Sequence, residues 1–442
     1  MSLLLLTEAE AKAQGPALAE RTLVPPSQLH RGSVIGKGGF SCVYRCEHAG
    51  VEYALKQMHK APPPGSQKDS FAQAQMASTE LDAFESISPH PFVVGWHTAW
   101  QDDRSVYLLL ELCAVTLYDT LFLHGDKSTN RLPEHSTKIY VGSVALALRH
   151  LYRHGFVFRD LKLENVLLTS QGRVKLADLG STKRLGKAGK SADGRKGTGR
   201  RFSGIGTESY LPPEQWSGKG RNEAGDLWAL GVLSYELLMG EPGPFGHDEE
   251  TSPSRFELDM PPPASPSTPK EKVAAFADDP EASREALRQK VLGAREELGD
   301  GGAAAASDFV VALLQPCEES RLGCASFESL LEHAWFDAFD WVRSAPPAPG
   351  PHAHIAILSR SPRARVHHHA LTPRQVALLE QRMPPPFVPP HDAPADISEQ
   401  IMANGEFAEL IPREVDDVTQ ALYAQWGPVQ CIGSELEADL VF

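Results

Sequence analysis

Apolar and polar positions alternate most clearly in the first quarter of the chain. The runs SVIG, SCVYRC, EYALKQM and SVYLLLEL, at residues 33–36, 41–46, 52–58 and 105–112, have the period of half-buried strands. Among them, residues from about 69 to 87 carry a helical pattern. From 113 to 240 the pattern is mostly helical, broken by loops rich in Gly, Lys and Pro. Residues 241–270 are rich in Pro and Ser and predict irregular chain. PEASREALRQKVLGAREEL, at 280–298, reads as a short amphipathic helix, and 305–340 returns to core-like helices. Residues 1–28 read as a weakly structured arm and 344–371 as a Pro/Ala/His-rich linker. The last seventy residues carry scattered aromatics, and no internal repeat is present.

One segment departs from this order. FVFRDLKLENVLL, at 156–168, sets Arg159, Asp160, Lys162, Glu164 and Asn165 inside an apolar frame that predicts burial. Charged groups are rarely buried unless they are paired or bind something. A structural ion-pair cluster and a functional site both satisfy that rule.

Composition narrows the choice. A chain of 442 residues is long enough for two to three compact units. Its 41% hydrophobic and 23% charged residues are those of an ordinary globular protein. The net charge of -14 disfavours nucleic acid as a bulk partner. The six cysteines have no metal-ligand spacing and are expected as reduced thiols of a cytoplasmic protein, with the nucleus as a further compartment. The opening MSLLLLTEAEAK lacks a basic start and is not expected to be a signal peptide, nor does it carry the glycine for myristoylation. No stretch approaches the ~20 apolar residues of a membrane span.

The candidate chemistry begins at VIGKGGFSCVY, where Gly36 and Gly38 lie between two strand-like runs. A turn without side chains lets backbone N–H groups approach phosphates, although a plain glycine hairpin has the same composition. Lys56, in the following strand, is placed to reach phosphate oxygens beneath such a loop, and Glu80 in the helical stretch is its expected partner. Asp160 and Asn165 share the apolar-framed loop, and KLADLG supplies Asp178 after a further strand. Asn165 and Asp178 are oxygen ligands of the kind Mg²⁺ prefers. Asp160 is the expected acceptor of a hydroxyl proton, and Lys162 the expected counter-charge to a transferring phosphate. Phosphoryl transfer needs little beyond positioning and charge neutralisation, so this set is chemically sufficient.

Together these segments resemble the eukaryotic protein kinase family. IGKGGFSCV matches its glycine loop, YALK its strand lysine, FRDLKLEN its catalytic loop and DLG its metal motif. PPE at 212–214 matches the segment end, DLWALG the following helix, and SRLG holds Arg321, the expected partner of Glu214. The motifs stand in the family's order over about residues 29–338. The resemblance implies an α+β, bilobal fold. A small antiparallel β-sheet lobe with one helix would span 29–112. A larger, mainly helical lobe would span 113–338, with a Pro/Ser-rich insertion at about 247–300, and a C-terminal tail would follow over 339–442. It further implies that Val43, Ala54 and Leu167 sandwich the adenine of ATP, that Glu111 and Cys113 lie at the hinge, and that Phe84, Phe158 and Leu179 stack in a spine. Packing alone would also place the apolar ones in a core.

Within the family the chain is similar to the AGC group, the cyclic-nucleotide- and phospholipid-dependent serine/threonine kinases. The carriers are Phe158, HPFVV, RLG, HAWFDAFDW and the PPPFVPP stretch at 384–390. Phe407, Tyr423 and Trp426 are candidate tail aromatics. The group's pattern makes Glu164 and Glu236 candidate binders of substrate arginine, the alternative for Glu236 being a plain helix-surface glutamate. Ser203 stands at the activation-loop phosphosite, four residues before Thr207, in a run with eight Lys or Arg over 181–206. A phosphate there would pair with Arg159, set by an upstream kinase or by the kinase itself. There are departures: Ser41 replaces the third loop glycine, Leu179 replaces Phe, Pro212 replaces Ala, and the acidic residue after the hinge is missing, with only Asp119 nearby. The expected function is therefore ATP- and Mg²⁺-dependent phosphorylation of protein Ser/Thr hydroxyls in Arg-rich contexts. The alternative is a pseudokinase scaffold that binds nucleotide without transfer. Oligomeric state is not legible. His352, His354 and the histidines at 367–369 are read as exposed linker residues rather than a metal site.

Overall fold

The structure, a computed structural model, describes residues 26–38, 41–60, 70–102, 104–122, 131–185, 207–218, 222–246, 268–294, 299–337 and 430–431. Ser203, the 344–371 linker, the 384–390 stretch, Phe407, Tyr423, Trp426 and the linker histidines lie outside the described residues. The described residues fall into two compact units. The first is drawn from 26–115, 168–180 and 430–431, and the second from 116–167 and 181–337.

The first unit is built on strands β1 (His30–Lys37), β2 (Ser41–His48), β3 (Val51–His59), β4 (Trp96–Gln101) and β5 (Ser105–Glu111), with helix α1 (Ser70–Ile87). The spatial order is β1-β2-β3-β5-β4, every neighbouring pair antiparallel. Gln430–Cys431 adds a short parallel strand beside β4, at Trp100 and Gln101. Period-two alternation sorts the side chains to the two faces. One face gathers Cys42, Tyr44, Cys46, Tyr53, Leu55, Trp100 and Leu109 with Leu29 into an apolar cluster. There Arg31 lies 3.4 Å above the Tyr44 ring, and Trp100 stacks on Tyr107. The register sets Val43 opposite Lys56 and Lys56 opposite Leu108, a row on the other face, with Ala54 opposite Leu110 one pair along. α1 buries Ala77, Glu80, Leu81 and Phe84, positions three to four residues apart on one stripe.

The second unit is helical. It contains α2 (Leu117–Phe122), α3 (Glu134–Arg153), α4 (Pro213–Trp216), α5 (Glu223–Met239), α6 (Pro269–Asp278), α7 (Pro280–Ala294), α8 (Gly299–Leu313) and α9 (Glu328–Leu331). α5 is buried on all sides, as a helix apolar all round must be. Its start is capped by Asn222, whose side chain accepts from the Gly225 N–H, and Gly240 in the left-handed region ends it. α5 packs against α3 and α8. A Cβ at Gly231 would come within 2.9 Å of Leu313, so glycine permits that close crossing.

Two elements have no counterpart in the sequence pattern. β4, WHTAWQ, mixes polar and apolar residues without alternation. α6 follows a Pro/Ser-rich stretch. It opens on a capping box in which Thr268 accepts from the Glu271 N–H while Glu271 accepts from the Thr268 N–H. Its Phe276 meets Trp228 of α5 and Phe245 edge-on, and those two rings stack at 5.2 Å. α8 also begins at Gly299, ahead of the expected 305.

Candidate active site

In the first unit the charged groups converge on Lys56. Its ammonium lies 2.8 Å and 2.9 Å from the two Glu80 oxygens and 2.9 Å from Asp178 Oδ1. Burial alone would pull the Lys56 pKa down, but Asp178 and Glu80 outweigh it and hold the ammonium above its usual range. Burial pushes the Glu80 carboxyl up while Lys56 opposes that. Glu80 is 1% exposed, whereas the Asp178 side chain keeps 44% of its surface open. Asp178 has φ +59°, and a Cβ on Gly180 would sit 3.4 Å from Asp178 and 3.5 Å from Glu80. A Cβ at that position would therefore touch both carboxylates at ordinary van der Waals distance.

The other first-unit candidates have separate surroundings. The Gly38 N–H donates to the Ser41 carbonyl at 2.8 Å, and Gly36 faces Val43 across the β1–β2 pair. Val43, half-buried, and Ala54, buried, share the Lys56 face. The Glu111 carboxylate is engaged, ion-paired with buried Lys175 at 2.8 Å and accepting from the Gly95 N–H. Burial pushes the Cys113 thiol up.

In the second unit a buried carboxylate fixes the loop that the sequence set apart. Asp226 of α5 accepts the N–H groups of Phe158 and Arg159, each at 2.7 Å, and the Tyr152 hydroxyl at 3.1 Å. Burial pushes Asp226 up to about 6, and those donors pull it back. Arg159 takes φ +76°, so the chain turns sharply just before Asp160. Asn165 Nδ2 donates to the Asp160 carbonyl at 2.7 Å and to its Oδ2 at 3.0 Å, and Lys162 Nζ lies 3.2 Å from the same oxygen. Leu167 is half-buried in the short strand Val166–Leu168. Phe84 and Leu179 in the first unit and Phe158 in the second are each fully buried.

The donors expected for Mg²⁺ have suitable chemistry. Asn165 spends its amide nitrogen on Asp160, leaving the oxygen end to coordinate, and Asp178 stays open while anchored by Lys56. Among the described residues no group of three or more His, Cys, Asp or Glu could hold a metal by itself. Such an ion would complete its shell with water and phosphate oxygens, as Mg²⁺ commonly does.

A family model described as a protein kinase domain matches residues 29–336. The chain belongs to the protein kinase family. Within that family it is AGC-like. It is 31% identical to a cAMP-dependent protein kinase catalytic subunit from Dictyostelium discoideum, over 70% of this chain and 40% of the relative. It is 30% identical to a cGMP-dependent protein kinase from Eimeria tenella, over 73% of this chain and 27% of the relative. With an atypical protein kinase C from Drosophila melanogaster it shares 29%, over 70% of this chain and 44% of the relative. The chain thus spans less than half the length of these relatives.

The kinase motifs bring further groups together. Glu214 receives two bonds from Arg321, at 2.8 Å and 3.1 Å, and Arg321 also stacks over Trp228. Glu236 is not the helix-surface residue of the alternative reading. It is 6% exposed, accepts from the Tyr210 hydroxyl and from the Gly243 N–H at 2.9 Å, and burial pushes it up to about 8. Glu164 is exposed. Tyr210, which also accepts from the Leu163 N–H at 3.4 Å, was missed from sequence; its signal is the aromatic two residues before Pro212. Asp119 forms a reciprocal cap with Thr116 at the start of α2. Thr207 is half-buried ahead of a single helical turn.

Proposed function

We propose that this kinase domain transfers the γ-phosphate of ATP to serine or threonine hydroxyls of protein substrates. The observation that carries the reading is the Lys56 ammonium gripped by both Glu80 and Asp178, a cation fixed in place for phosphate oxygens. The hydroxyl oxygen of the substrate attacks the γ-phosphorus and its proton passes to the Asp160 carboxylate. The bond from the γ-phosphorus to the bridging oxygen breaks, and ADP leaves with the electron pair. Lys162 offsets phosphate charge. The turn at Gly36 and Gly38, bare of side chains, lets phosphates approach the backbone closely, Val43, Ala54 and Leu167 offer apolar surface to the base, and Glu111 and Cys113 offer hinge backbone. Bound Mg²⁺ would neutralise phosphate charge, with Asn165 and Asp178 as the residues to hold it.

Substrates carrying arginine upstream of the acceptor suit exposed Glu164 and the Tyr210–Glu236 pair. Phosphorylation of Ser203 fits the basic run around it, with Arg159 as partner, and intact-mass analysis of active protein should show it.

The deciding experiment is transfer from ATP to an Arg-rich serine peptide, with and without Mg²⁺. Asp160→Asn should lower kcat about 10²- to 10⁴-fold, the usual range for a lost general base. Nucleotide binding without transfer by the wild type would instead establish a scaffold.

A further inference from the structure

Behind the loop that carries Asp160, the second unit forms a small, partly open polar cavity. Asp160, Thr207, Gln215, Gly225, Asp226 and Ala229 contribute to its walls. Its interior is just large enough for one water molecule. The Asp160 side chain is only 10% exposed. Its Oδ2 serves Asn165 and Lys162, whereas its Oδ1 is buried and has no hydrogen-bond partner among the described residues. Gln215 Oε1 is likewise buried without a partner. Asp160 and Gln215 thus each bring a buried, unpartnered polar atom to residues that line one pocket, and buried polar groups normally find protein or water partners because leaving them dry is costly.

We propose that this cavity holds one ordered water, which donates to Asp160 Oδ1 and is anchored by the Gln215 amide. Gln215 is thereby a positioning residue for the proton acceptor. Exchanging the amide ends would keep a polar atom on the cavity, and a water can serve either as donor or acceptor. The charged neighbours of the Asp160 carboxylate are Lys162 at Oδ2, and Arg159 and Asp226 on the cavity wall. The kinetic role rests on the kinase reading above, but the water does not.

High-resolution crystallography of the full chain should show density within hydrogen-bond distance of both Asp160 and Gln215, and a dry cavity overturns the proposal. Two variants then test the role. Gln215→Met removes the amide. Gly225→Ala leaves it in the sequence but displaces it, because the new Cβ would lie 2.8 Å from Gln215 Nε2, the far end of a flexible side chain. Alanine also suits the first turn of α5, so this variant should melt no earlier than the wild type. Both should lower kcat about 3- to 10-fold, the worth of one hydrogen bond, with KM for ATP unchanged. An unaltered kcat in both variants, or a loss of kcat matched by a rise in KM for ATP, with the water in place in the wild type, overturns the positioning role. A wild type that binds ATP without transfer overturns the kinase reading, and the density alone then decides the water.

Discussion

Glu236 and Tyr210 show how much a single pair can hide in a linear sequence. SYELL reads as one more helix, and nothing local says that its glutamate is buried. Burial follows from α5 being covered on all sides, a fact of packing rather than of neighbouring residues. By contrast, the partnership of Lys56 and Glu80 was readable, because a strand lysine just after the glycine loop and a glutamate in the following helix give each other a counter-charge. The Glu236 shift has a thermodynamic consequence. Its carboxyl rises from an ordinary 4.5 to about 8 in the fold. The stability this group contributes is therefore present below pH 4.5 and lost as pH rises through about 8. Thermal unfolding between these limits should show Tm falling with pH, with a shallower slope for Glu236→Gln.

At the level of elements, the strands β1, β2, β3 and β5 and helix α1 were legible because each carries a regular apolar period. β4 was not, since its partners rather than its own alternation define it, and it joins the sheet through β5 and a short parallel strand. α6 was hidden by the Pro/Ser-rich residues before it. In hindsight Thr268, Pro269 and Glu271 spell its start, because threonine, proline and glutamate in that spacing satisfy the orphan N–H groups of a first turn. Thr268→Ala should cost about 1 kcal/mol. Denaturant unfolding checks the size, and hydrogen exchange should place the loss in α6.

For the whole molecule, the order of the motifs disclosed the family, while the Asp160–Gln215 cavity stayed invisible because its walls come from segments far apart in sequence. Arg321 and Glu214 form the longest-range pair that was anticipated, across 107 positions. Arg321→Met would strand the Glu214 carboxylate in the core and should destabilise the chain by about 3–5 kcal/mol, measurable by equilibrium unfolding. The net charge of -14 should help draw basic peptides toward the domain. Raising salt from about 0.1 M to 1 M shortens the screening length from ~10 to ~3 Å and should raise KM for an Arg-rich peptide several-fold. Finally, burial pushes the Glu236 carboxyl up to about 8, and a guanidinium entering beside it would favour the ionised form. Substrate capture would then be an exchange, with proton release from Glu236 as an arginine is taken in beside it. Peptide affinity should tighten as the solution becomes more alkaline toward pH 8, and the heat of binding should vary with the ionisation enthalpy of the buffer.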